Sequence, residues 1–128
     1  MTRYRIAENA ADYRRAHEVV VGEAKMTFPT ILAESNDEVV GVASTHRTDK
    51  AVILGKFVAD VPWIALNLIQ AYENVLILAG IVEYLIPIRH EDQSIQRLIE
   101  RTFEIEPYTS DEEHVWYKRQ LNVKVTKH

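Results

Sequence analysis

At 128 residues, 47% of them apolar and only 4 Gly and 4 Pro, the chain has the size and composition of one globular domain. A net charge of −4, from 19 acidic and 15 basic side chains, argues against general nucleic-acid binding, which favours a basic footprint. The absence of cysteine excludes disulfides, thiolate metal sites and thiol nucleophiles.

Met1 to Arg5 leads into no apolar stretch, so no signal segment is expected, and Tyr4 to Ala7 is a predicted strand. A helix is predicted over Ala10 to Ala24 with Asn9 as its N-cap. Its apolar positions Ala16, Val19, Val20 and Ala24 fall on helical spacing, with Arg14, Arg15, Glu18 and Glu23 toward water. Met26-Thr27-Phe28-Pro29 reads as a connection, because proline restrains the backbone on both sides.

Thr30 to Glu34 and Glu38 to Ser44 are strands flanking Ser35-Asn36-Asp37, a turn in which Asn and Asp tolerate the required conformations. A polar turn over His46 to Lys50 leads to a third strand, Ala51 to Ala59. Pro62 suits the first turn of a helix running to Ala79, with Asp60 as its expected cap and Gly80 as its left-handed stop. That helix is apolar on most of its circumference and should be buried. Asn67, Gln70, Glu73 and Asn74 interrupt it, so a core helix is expected and no membrane span.

Val82 to Ile88 is a strand. Asp92 to Thr102 is an amphipathic helix with Ile95, Leu98 and Ile99 inward. Phe103 to Ile105 and His114 to Leu121 are the last strand candidates. Residues 1–121 form one domain, and 122–128 are a polar tail. The expected fold is α/β or α+β, a mixed and mostly antiparallel sheet of six to seven strands with helices on both faces.

This order of elements resembles the GNAT superfamily of acyl-CoA N-acyltransferases over residues 3–121. The hairpin from Ile31 to Ser44 is similar to that family's "V-A-E-x-D-G-E-I-V-G-Y-A" segment. The stretch from the last helix through Phe103 to His114-Val115-Trp116-Tyr117 resembles the family's closing elements. Two departures stand against these matches. The family cradles the donor's diphosphate on a run of the type R/Q-x-x-G-x-G/A, where glycine lets backbone N–H groups approach closely. The corresponding positions here are Asp60, Val61, Pro62 and Trp63, which offer a carboxylate, bulk and a residue without an N–H. Many family members also carry a Tyr general acid about five residues before the "G-F" Phe. That position is Leu98 here, and the glycine is Thr102.

The resemblance therefore implies a degenerate GNAT-fold protein, non-catalytic, binding no cofactor and acting as a binding or assembly module through a protein partner or self-assembly. Its layout also resembles small phage-encoded proteins, which implies a virion location in that case and a cytoplasmic one otherwise. The alternative is an N-acetyltransferase using acetyl-CoA in an unconventional site. Its acid would then be Tyr117, Tyr108 or Tyr84 and its base His46 or Glu34, with the Phe57–Asp60 strand end holding the pantetheine. His46 and His114 could act together if the sheet brought them close. Arg89-His90-Glu91-Asp92 is either a metal or acid/base cluster or the capped start of a helix, and Asp111-Glu112-Glu113 reads as a solvated loop. Trp63 would plug the donor's space or form an exposed contact. No metal motif is present.

Overall fold

A computed structural model of the chain describes residues 1–20 and 26–121. In chain order the elements are β1 (Thr2–Ile6), α1 (Ala10–Val19), β2 (Thr27–Ser35), β3 (Glu38–Arg47), β4 (Val52–Ala59), α2 (Pro62–Leu78), β5 (Glu83–Arg89), α3 (Gln93–Phe103), β6 (Thr109–Ser110) and β7 (His114–Gln120). They build one seven-stranded sheet in the order β1-β2-β3-β4-β5-β7-β6. Every neighbouring pair is antiparallel except β4 and β5. This is the expected α+β architecture. The end of the predicted first helix, residues 21–24, and the predicted tail, 122–128, lie outside the described residues.

The β2–β3 hairpin is tighter than expected. Ser35 pairs with Glu38, leaving a two-residue turn in which Asn36 and Asp37 both have positive φ (52° and 65°). Asn and Asp accept that left-handed geometry, whose twist suits a two-residue hairpin. Thr27-Phe28-Pro29, expected as a connection, belongs to β2 and contains a cis Phe28–Pro29 bond. Phe103 closes α3 instead of opening a strand, because Glu104 turns left-handed (φ 54°) and ends the helix; the short strand falls at Thr109–Ser110.

Strand alternation sends side chains to two covered faces. On one, Leu32 and Val42 pack with Ala16 of α1 and with Ala7 and Val20. On the other, Ile31, Ala33, Ala43 and Leu54 from one half of the sheet meet Tyr84, Ile86 and Tyr117 from the other half. Ile64, Leu68, Ile69, Tyr72 and Leu76 of α2 lie across both. Gly80 ends the α2 region at φ +79°, as the sequence suggests. Within the core, Thr45 Oγ1 donates to Pro29 O at 2.6 Å and lies 2.8 Å from Tyr72 Oη.

Beneath α1 sits an ion network that helical spacing did not reveal. Asp12 takes two hydrogen bonds from Arg5 (2.6 and 2.9 Å) and one from the Glu8 N–H, while Glu34 binds Arg5 and Arg15. The Arg5 guanidinium, then the Glu8 N–H, holds the Asp12 carboxyl well below the usual carboxylate range, and Arg5 also lowers Glu34. A depressed folded pKa contributes stability above the unfolded value and loses it as pH falls toward the folded one. Denaturation midpoints should therefore hold above about pH 5 and fall progressively below it. Arg5→Met should be less stable at neutral pH and show a shallower acid decline, and an unchanged slope would remove the network as its cause.

Candidate functional site

The parallel β4–β5 pair touches at one registered position, Ile53 opposite Leu85. Beyond it the strands part while each keeps its outer neighbour. β3 follows β4 as far as Gly41 opposite Ala59, and β7 follows β5 as far as Arg89 opposite His114. The sheet is thus split for about 20 Å of β4, six residues at the strand rise. The cleft that results has a volume of about 610 Å³. Its walls on one side come from α2 (Ala65, Leu66, Ile69) and α3 (Ile95, Leu98, Ile99), so they are mainly apolar.

His46, Trp116 and His114 also line the cleft. Thr45 points at Tyr72 of α2, so His46, its neighbour on the strand, projects from the opposite face. His46 pairs with Ile53 and therefore stands at the closed end, where the strands still meet. Likewise Tyr117 faces α3, and Trp116 and His114 do not.

The expected solvated loop before β7 has a definite task. Asp111 accepts from the N–H groups of Glu113 (2.9 Å) and His114 (2.8 Å) and from Trp116 Nε1 (2.8 Å). These bonds, the Trp116 one first, hold its carboxyl at about 2. They fix the indole against the cleft, and the His114 ring meets it edge-on at 5.8 Å. The Asp and His three residues apart were visible in the sequence, but the indole partner was not.

Most of the predicted acid/base candidates lie elsewhere. Tyr117 is buried and donates to Glu100 at 2.6 Å; burial, then that carboxylate, raises its pKa far above neutrality. Tyr84 donates to Glu73 at 2.6 Å under α2 and is raised as well, chiefly by burial. Tyr108 is exposed, carries the Lys118 ammonium 4.2 Å over its ring and does not line the cleft. Glu34 is tied to Arg5 and Arg15 on the α1 face. His46 and His114 do reach the cleft together, although no hydrogen bond joins them among the described residues. Leu98 and Thr102, the positions expected for the acid and glycine, line it too.

At the open end, Asp60 and Val61 alone connect β4 to α2. Asp60 is not the cap: Val61 occupies that position, extended (φ −142°, ψ 157°), and no side chain caps the helix. Asp60 comes one residue too early, because its N–H is still bound to Val40 O at 3.0 Å as a continuation of the strand. Val61, Pro62 and Trp63 are exposed, and Trp63 does not line the cleft.

The Arg89–Asp92 segment leads into α3, and Arg89 and Asp92 line the cleft. Arg89 pairs with Glu91 at 3.1 Å, and Gln96 Nε2 donates to the carbonyls of Arg89 (2.8 Å) and His90 (3.1 Å). Asp92 holds the N-cap position of α3 without a side-chain capping bond. Among the described residues no cluster of three metal-ligating side chains occurs, and no helix is long and apolar enough to cross a membrane.

A mixed sheet split between its two parallel strands, with a helix crossing beneath the split, is the fold of the GNAT acetyltransferases. The solved structure of the ribosomal-protein-S18-alanine N-acetyltransferase from Escherichia coli superimposes with a TM-score of 0.76 over 97% of this chain and 96% of its own, at 12% identity. Diaminobutyrate acetyltransferase EctA from Paenibacillus lautus, solved with L-2,4-diaminobutyric acid and coenzyme A, gives 0.70 over 99% of both chains at 14% identity. An acetyltransferase from Streptococcus agalactiae gives 0.67 over 94% and 98% at 15%. At these identities the likeness is one of fold. No family model matches the sequence, and no curated protein matches it.

Proposed function

We propose that the cleft holds the pantetheine arm of an acyl thioester and that the protein is an N-acyltransferase with an unconventional donor site. The observation that carries this reading is the split between β4 and β5. An unpaired strand edge lines an apolar slot that ends at an imidazole. A pantetheine arm carries amide groups that can pair with such an edge as an added strand does. The arm would enter at the Ala59 end, with its thioester near Ile53 and His46. Transfer to an amine joins nitrogen to the acyl carbon and breaks the C–S bond, the proton on nitrogen passing to His46 and the thiolate departing.

Ala65→Trp tests the placement, because an indole on that face of α2 fills the slot. Calorimetric titration with an acyl-pantetheine thioester should show about tenfold weaker binding, with the melting temperature little changed. Equal binding by the variant would move the donor out of the cleft.

A second reading, a non-catalytic binding or assembly module, draws support from a different feature. Leu98 stands where the resemblance puts a proton donor, and Val61, Trp63 and Leu66 are exposed by 38%, 55% and 39% at the start of α2. Failure of every acyl donor to bind, together with a stable oligomer weakened by Trp63→Ser, would favour it.

A further inference from the structure

Resting on the acyl-donor reading, we infer that the site recognises its donor through the acyl-pantetheine arm alone and makes no productive contact with a nucleotide diphosphate. The two halves of a CoA thioester differ in chemistry, and the two ends of the cleft fit them unequally. The slot beside β4 matches an apolar chain with amides. The open end is poorly suited to a diphosphate.

The connection from β4 to α2 is only Asp60 and Val61, too short to wrap an anion with successive N–H groups. Of the N–H groups there, that of Asp60 is already bound to Val40 O and Pro62 at the first helical position has none, which breaks the run between Val61 and Trp63. The exposed Asp60 carboxylate makes no hydrogen bond or ion pair among the described residues, so its charge stands unneutralised beside the helix start and repels phosphate. The basic side chains lining the cleft are Lys56 and Arg89, besides the two histidines, and Arg89 is paired with Glu91. The uncapped N-terminus of α2 would favour an anion by itself, but a carboxylate one residue before the cap offsets that attraction.

A pantetheine thioester, free or borne on a larger carrier, would satisfy the site, and the adenosine and diphosphate of CoA would hang in solvent. Domains that bind CoA through its diphosphate gain affinity from it; this one should not.

The test is a pair of titrations of the intact protein, with S-acetyl-pantetheine and with acetyl-CoA, each at low and high salt. The expected result is dissociation constants within about threefold of each other, with a ratio indifferent to salt. Acetyl-CoA binding more than threefold tighter, with the advantage shrinking in salt, would overturn the inference and leave the acyl-donor reading standing. No binding of either compound would remove that reading, and the inference with it. Asp60→Gly/Pro62→Gly supplies a second readout. It should tighten acetyl-CoA about fivefold or more and leave S-acetyl-pantetheine unchanged; a parallel change in both would count against the assignment of roles.

Discussion

Glu73→Leu should lower the stability of the fold by about 3 kcal/mol, read as a shift in the midpoint of chemical denaturation. Glu73 is 8% exposed on α2, yet its carboxylate accepts three hydrogen bonds. Its Oε2 accepts from Tyr84 at 2.6 Å and from Arg119 Nε at 2.8 Å, and its Oε1 from Arg119 Nη2 at 3.1 Å. Arg119 in turn lies 4.2 Å over the ring of Phe103. Leucine would leave a guanidinium and a buried hydroxyl without their acceptor, and losing one partner of a buried pair costs more than the pair itself contributes. Adding Arg119→Met should therefore recover a large part of the loss. A double variant no better than the single one would place the energy in packing around α2.

His46→Ala should lower amine-dependent acyl transfer about a hundredfold at saturating donor, with KM for the donor little changed. Among the acid/base candidates that the sequence offers, His46, His114 and Asp92 line the cleft, and His46 alone pairs with the residue at its closed end. A proton acceptor acts in the transition state and adds little to donor binding, so the loss belongs in kcat. His114→Ala, at the far end of the gap beside Arg89, should be milder. Turnover unaffected by His46→Ala would take the base away from this strand.

How much of this was legible follows from the range of the interactions. The place of the hairpin, the Pro62 start and the Gly80 stop are governed by residues within a few positions of one another and read correctly, although Ser35 belongs to the strand and the turn is one residue shorter than expected. The α2 helix, apolar on most of its circumference, read as buried, yet only the face carrying Ile64, Leu68, Ile69, Tyr72 and Leu76 is buried, while Leu66, Asn67, Gln70 and Asn74 are exposed. Trp116 and Tyr117 fell on opposite faces by strand alternation. The Asp60 cap failed for a tertiary reason: Val40, twenty residues away, holds the Asp60 N–H and keeps it in strand geometry. Phe103 failed as a strand residue because Glu104 accepts a left-handed turn that its type seldom adopts. The ion networks of Asp12 and Glu73 join residues up to 46 positions apart, beyond the reach of local pattern. The split between β4 and β5 was the least legible feature of all. It is an absence of pairing between strands whose sequences, Val52–Ala59 and Glu83–Arg89, both look ready to pair.

That single rung has a mechanical meaning. The half-sheet β1–β4 and the half-sheet β5–β7–β6 are each stitched by continuous backbone hydrogen bonds, but across the gap they are coupled chiefly by side chains of α2 pressing on both. Apolar contact resists separation without dictating angle, whereas a hydrogen-bonded ladder dictates both. Stiffness across the middle of this domain is therefore borrowed from whatever lies along the edge of β4. A molecule seated there would serve as the missing rungs, turning two panels on a shared spine into one continuous plate.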